Sequence, residues 1–325
     1  MFSKSVLEMD WIAEAGRIEA RIREIVGTEL RRKGVVVGVS GGIDSSLVTA
    51  LAARALGPDR VLGLFMPETD SDDLSLKLGQ VLAATFHVPA ELVPIGPALT
   101  AMGCYRERDA AIRSVFPEYG PGWRSKIVLP VIGDRARLNV FSLVVAGPDG
   151  REHRARLPLA AYLTIVASTN LKQRTRKLTE YFWAEKLNYA VAGTPNRLEY
   201  DQGFFVKGGD GAADFKPIAH LYKGQVYAMA RALGVPEEIC RRQPTTDTYS
   251  LPQGQDEFYF ALPYEQMDLC LYGHNHGIAA GDVAKAAGLS TAQVERGYAD
   301  IEAKRRTTRF LHLPPVLVEP VSEIH

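Results

Sequence analysis

Seven residues invite a chemical reading: Ser40-Gly41-Gly42-Ile43-Asp44-Ser45-Ser46, following the apolar run Gly34 to Val39. Two chemistries fit. Gly38-Val39-Ser40-Gly41-Gly42 has the G-x-S-x-G form of a nucleophile elbow. The longer pattern, a strand followed by paired glycines, an acid and two serines opening a helix, suits an anion cradle. Gly41 and Gly42 let backbone N–H groups approach an anion, Ser40, Ser45 and Ser46 add donors, and the helix presents its positive end. Asp44 would repel a phosphate unless a divalent cation bridges the two. The run is not a Walker A loop, because no Gly-Lys-Ser/Thr follows.

The positioning elements discriminate between these readings. A hydrolase elbow follows several strands and needs an upstream oxyanion loop. Here one amphipathic segment (6–32) precedes the first strand, and no HGGG run appears. The expected order is a strand at 34–40, a helix at 45–56, a strand at 60–67, a helix from Ser71 to about Phe86 and a strand at 90–95. This β-α-β-α-β rhythm predicts a parallel, doubly wound sheet with its ligand at the carboxyl edge. Residues 104–130 read as irregular. A β-hairpin is expected at about 136–158, turning at Pro148-Asp149-Gly150. A helix over 171–187, a strand at 189–193, a glycine-rich loop over 203–217 and helices at 223–233, 264–272, 281–287 and 291–305 complete the chain.

Composition narrows the function classes. The 325 residues carry 38 Lys plus Arg and 38 Asp plus Glu, so no net field favours nucleic acid or an anionic membrane. The segment 281–306 has the outline of a helix-turn-helix, but its basic residues are confined to its end, unlike a DNA reader. No apolar stretch approaches the roughly 20 residues that span a bilayer. The amino terminus lacks a signal-peptide core. Cys104, Cys240 and Cys270 stand far apart. A soluble, cytoplasmic protein is expected.

With these motifs assembled, the chain resembles the N-type ATP pyrophosphatases through SGGIDSS. It is similar to NAD synthetases through NLKQRTR (170–176), AGTPNRLEY (192–200), FFVKGGDGAADFKPI (204–218), YKGQVYAMARALGVPEEI (222–239), QPTTD (243–247) and YEQMDLCLYG (264–273). The resemblance covers Glu29 to Gly103 and Thr169 to the end. It implies a three-layer α/β sandwich around the doubly wound parallel sheet, of the adenine nucleotide alpha hydrolase type. Residues 1–325 would form a single domain carrying the hairpin as an insertion.

The implied reaction amidates deamido-NAD with ammonia at the expense of ATP, through an adenylate. ATP would be bound by Gly38, Ser40, Gly41, Gly42, Ser45, Thr194, Lys223 and Thr245. Asp44 and Lys223 would be catalytic, Asp44 and Glu199 would hold Mg2+, and Arg174, Lys207 and Asp214 would hold the acceptor. Ser40 becomes a donor to phosphate, not an attacker. About 33 residues before the first strand are too few for the amidase domain of glutamine-dependent members, so ammonia is expected to arrive free or from a separate protein. The family also implies a homodimer.

Two departures from the family pattern stand out. Pro195, Arg197 and Leu198 replace Gly, Lys and Ser in the run ending at Glu199, and the carboxy-terminal segment offers Arg305, Arg306 or Arg309 without a clean His-Lys-Arg match. These departures keep open a related ligase acting on another carboxylate. A catalytically silent ATP-binding module is the remaining alternative.

Overall fold

Three consecutive valines explain the centre of the molecule. Val35, Val36 and Val37 are fully buried in β1 (Val35–Gly38). Alternate side chains leave opposite faces of a strand, and both faces are covered here. Val35 and Val37 pack into a core with Leu47 and Leu51 of α2 (Ile43–Leu56) and Ile18 and Ile22 of α1 (Trp11–Glu24). Val36 packs on the other side with Leu64 and Ala184. A strand buried on both faces must sit inside a sandwich of three layers.

The computed structural model describes residues 2–128, 141–243, 249–251, 259–260 and 262–322. Around β1 the sheet has the order β3-β2-β1-β7 and is parallel throughout, with β2 at Val61–Phe65, β3 at Ala90–Leu92 and β7 at Ala190–Val191. Val35 is in register with Val61 on one side and Ala190 on the other. The helices α2 and α3 (Asp73–Thr85) carry the chain from β1 to β3 in one direction. The long helix α6 (Leu159–Leu187) then returns it to the opposite side of β1. The loops leaving β1 and β7 therefore diverge, and the crevice between them is the topological switch point where ligands bind in such sheets.

The helices α4 (Gly96–Ala101), α5 (Cys104–Arg113) and α6 share the face of Val36. A second core gathers α7 (Arg197–Gln202) with the carboxy-terminal helices α10 (Tyr264–Asn275), α11 (Ala280–Ala287) and α12 (Thr291–His312). The helices α8 (Lys223–Ala232) and α9 (Glu237–Arg241) join the core of Val35 and Val37 through Val226, Met229 and Ile239. Val283, Ala284, Val294 and Ile301 are buried, so the helix-turn-helix outline at 281–306 packs inward. Among the described residues no helix is long and apolar enough to cross a membrane.

An antiparallel three-stranded sheet stands apart from the main one: β4 (Arg124–Val128), β5 (Ser142–Ala146) and β6 (Glu152–Arg156). The expected turn lies between β5 and β6, where Gly150 takes φ +76° and its N–H donates to Gly147 at 2.9 Å. The part of the expected hairpin before residue 141 lies outside the described residues.

Four elements differ from expectation. Part of the stretch read as irregular is regular: α5 occupies Cys104–Arg113, and β4 gains its partner from β5, which periodicity within 104–130 cannot reveal. The helix expected at 171–187 begins at Leu159, because Ala161 and Ile165 pack beneath the extra sheet and override the weak helix propensity of Thr164, Ile165 and Val166. The segment 6–32 divides because Asp10 caps α1 through Ile12 and Ala13 N–H. The last helix runs on to His312.

Candidate active site

The loop after β1 is built around one left-handed residue. Gly41 has φ +71°, and a Cβ there would overlap the carbonyl oxygen of Ser75. Only glycine meets both conditions. Gly42 then caps α2, whose first-turn N–H groups face the crevice without intrahelical partners. Hydroxyls fix the turn: Ser40 and Ser45 Oγ lie 3.1 Å apart, and Ser46 Oγ donates to the Gly42 carbonyl at 2.8 Å.

The loop leaving β7 supplies the facing wall. Asn196 caps α7 by accepting from Leu198 and Glu199 N–H, while Glu199 Oε2 accepts from Asn196 N–H at 3.1 Å. The same Asn196 donates Nδ2 to Asp44 Oδ1 at 3.0 Å. One asparagine thereby ties the two loops together and brings the carboxylates of Asp44 and Glu199 to one place. Of the departures from the family run, Leu198 is buried in the carboxy-terminal core and Arg197 pairs with Asp201 at 3.0 Å, while Pro195 lines the cleft described below.

Lys223 opens α8 and is fully buried. Its Nζ donates to Asp44 Oδ2. Burial opposes its charge, yet Asp44 and Glu199 outweigh this and hold it above the ordinary lysine range. Burial and the neighbouring Asp44 charge push Glu199 up to about 8, against the pull of Lys223. Two carboxyl groups at the edge of the glycine-serine loop offer the oxygen donors that a divalent cation takes.

A cleft of about 1030 Å³ contains this cluster. Gly38, Ser40, Gly42, Asp44, Ser45, Thr194, Glu199, Lys223, Arg174 and Lys207 all line it. Gly41 sits behind the loop against Ser75. Asp214 does not line the cleft; its Oδ2 accepts from Val191 N–H at 2.7 Å and pins the 203–217 loop to β7. Thr245 lies outside the described residues. Lys207 Nζ donates to the carbonyls of Phe310 and Leu313 at 2.9 and 3.0 Å, closing the end of α12 over the cleft, and Arg174 Nε donates to the Lys207 carbonyl at 3.2 Å. Arg305 pairs instead with Asp201 at 2.6 Å, whereas Lys304 lines the cleft.

Sequence reasoning missed several residues. Asp268 accepts from the N–H groups of Lys223 and Gly224 at 3.1 and 2.7 Å and so orients the start of α8. Its burial raises its pKa to about 7, against the pull of those two N–H groups. Lys177 and Glu180 form a buried pair at 2.5 Å, with Glu180 set against Gly38. Buried Lys172 donates to Glu68 and Asp70 at 2.9 and 2.5 Å, anchoring the loop after β2 to α6. The pattern Asn170 to Arg176 contained Lys172, but nothing local indicated its distant partners.

A parallel doubly wound sheet, with a glycine-serine loop, paired carboxyl groups and a buried lysine at the switch point, defines an α/β protein of the adenine nucleotide alpha hydrolase-like fold. The chain belongs to the NAD synthase family, whose model matches residues 14–115 and 154–310. It is 60% identical over 324 residues to the NH(3)-dependent NAD(+) synthetase of Rhizobium meliloti (strain 1021), covering 100% of this chain and 97% of that one. The protein of the same name from Rhizobium rhizogenes is 57% identical over 98% of this chain and 96% of its own. Among solved structures, the NH3-dependent NAD synthetase from Campylobacter jejuni superposes with TM-score 0.63 at 21% identity, over 96% of this chain and 100% of that one. That likeness supports the fold.

Proposed function

We propose that this protein makes NAD from deamido-NAD, ATP and ammonia, releasing AMP and pyrophosphate. The observation that carries this reading is the junction of Asp44, Glu199 and Lys223 beside the phosphate loop, in a chain 60% identical over its whole length to a named NH(3)-dependent NAD(+) synthetase. The reading favours deamido-NAD over another carboxylate as acceptor. Residues 1–325 act as one catalytic unit with the three-stranded sheet as an insertion.

The loop N–H groups, the hydroxyls of Ser40 and Ser45 and the positive end of α2 hold the ATP phosphates, with Thr194 and Thr245 as further contacts. Asp44 and Glu199 hold Mg2+, which supplies charge neutralisation on the phosphates when bound. Arg174 and Lys207 orient the acceptor so that its carboxylate oxygen faces the α-phosphorus. A carboxylate O–P bond forms as the bond to pyrophosphate breaks. Lys223 stabilises the negative charge that develops on the leaving group. Ammonia then forms a C–N bond at the activated carbonyl, AMP departs with the C–O electron pair, and the nitrogen sheds a proton to give the amide. No side-chain nucleophile takes part. Asp214 contributes by holding the loop that carries Lys207.

On α6, Leu159, Leu163, Leu178 and Phe182 are large apolar side chains left 56–71% exposed. They support a homodimer that covers this helix. Three buried free cysteines suit the reducing cytoplasm. The test is a mass-resolved end-point assay with ATP, Mg2+, ammonium and deamido-NAD, beside a control without acceptor. AMP and NAD at equal yield support the reading. AMP without NAD, or no turnover, counts against it.

A further inference from the structure

The family model passes over residues 116–153, which contain β4 and β5. That insertion does not hang free. Ile127, Leu143 and Val145 pack against Ala161 and Ile165 in the first half of α6. The packing brings Phe141, at the mouth of β5, onto Tyr162, with ring centroids 4.5 Å apart and planes 22° from parallel. The backbone of Phe141 is fixed by Leu157 N–H, which donates to its carbonyl at 3.0 Å. Both rings line the cleft and neither is fully buried.

Helix α6 serves as a ruler for where this pair stands. Tyr162, Val166, Asn170, Gln173, Lys177 and Glu180 recur every three or four residues and all line the cleft. Glu180 abuts Gly38, beside the phosphate loop: a Cβ on that glycine would lie 2.7 Å from Glu180 Oε1. At 1.5 Å per residue, Tyr162 stands about 27 Å further along the helix. Arg174 lies between the two ends, about 9 Å from Glu180 on the same measure.

The chemistry orients the acceptor on this ruler. Its carboxylate must meet the α-phosphorus of ATP at the loop. The base at the other end of the dinucleotide must therefore point away from the loop, with its linking phosphates passing the cation of Arg174. We propose that the Phe141–Tyr162 pair is the stacking platform for this remote purine ring, and that the inserted sheet builds it. A purine stacks on an aromatic face without needing a hydrogen-bonding code. The inference rests on deamido-NAD being the acceptor, and its test separates the two claims.

Steady-state kinetics would be measured on the wild type, Phe141→Ala and Phe141→Tyr, with deamido-NAD and ATP varied in turn. NAD formation by the wild type secures the reaction itself; its absence sinks that reading before the platform is considered. With the reaction in place, Phe141→Ala should raise the KM for deamido-NAD about ten-fold, the scale of one lost base–aromatic stack. The KM for ATP should stay within two-fold, and Phe141→Tyr should restore the acceptor KM. An unchanged acceptor KM overturns the platform. So does an equal rise in both KM values, which marks general loosening, or a rise in the ATP KM alone, which assigns the rings to the other nucleotide.

Discussion

Asp44 accepts from two side chains of opposite kinds: Lys223 Nζ on Oδ2, and Asn196 Nδ2 at 3.0 Å on Oδ1. Lys223 and Asn196 stand at the starts of two different helices, so this carboxylate joins the phosphate loop to both. Asp44→Asn keeps the size but removes the charge that Lys223 pairs with and that the proposed Mg2+ role needs. Turnover of ATP and deamido-NAD should fall by at least about 100-fold, on the scale of removing one preorganised electrostatic group. Paired measurement of AMP and NAD checks this. Near-normal rates would exclude a metal role for Asp44.

Adjacent glycines make contrasting predictions. Gly41→Ala places a Cβ at φ +71° against the Ser75 carbonyl, a cost of about 1–2 kcal/mol from the left-handed backbone alone. Gly42 has φ −90°, and a Cβ there meets only Ser40 Oγ at 3.3 Å. Gly41→Ala should therefore lower the melting temperature and weaken ATP binding about ten-fold, while Gly42→Ala should disturb the fold much less. Thermal melts and calorimetric ATP titrations compare the two. Equal melting temperatures would contradict the strain assigned to Gly41.

The buried pairs linking the loop after β2 to α6 give a stability prediction. Lys172 is 1% exposed and its partner Glu68 is wholly buried at the side chain. Lys172→Met leaves the buried Glu68 carboxylate without its cation, while Asp70 keeps Arg108, and should cost about 3–5 kcal/mol in urea unfolding. Adding Glu68→Gln should recover most of that loss, because buried pairs contribute little net stability against neutral replacements. No recovery in the double variant would show that the loss comes from packing.

Asp268 predicts a pH dependence of stability. Its folded-state pKa of about 7 lies above its usual value, so the folded protein binds this proton more tightly than the unfolded chain. The resulting stabilisation is fully present below about pH 4 and is lost as pH rises through 7. Asp268→Asn has no such proton to lose. The melting temperature of this variant minus that of the wild type should therefore increase by several degrees between pH 5 and pH 8. A gap that stays flat or shrinks would refute the raised pKa.

Local patterns made part of this architecture readable before any coordinates. Val35 to Val37 announced a strand buried on both faces, and Gly41 announced a turn no other residue makes. The doubly wound order followed from alternating strands and helices, and the crevice followed from that order. What stayed hidden depends on partners far along the chain. Asp268 caps a helix begun at Lys223, Lys172 reaches back to Glu68, and the first half of α6 is held by Ile127 and Leu143 of the extra sheet. Asp214 shows the same limit in reverse. Its motif pointed to substrate, but the fold directs its side chain to the N–H of Val191.

Ser40 separates the two chemistries that its surroundings first allowed. Its Oγ accepts from Gly42 N–H at 3.3 Å and faces Ser45 Oγ, and among the described residues no histidine lines the cleft to serve as its base. As a donor to phosphate, it contributes one hydrogen bond. Ser40→Ala should therefore reduce kcat/KM for ATP by about three- to ten-fold, the range for one such bond. A nucleophilic serine would lose on the order of a million-fold in kcat. The size of the loss decides the assignment, and an active-site serine label offers an independent check. Ser40 should stay unmodified by a fluorophosphonate at concentrations that label serine hydrolases. A collapse of turnover together with covalent labelling would return the loop to hydrolytic chemistry.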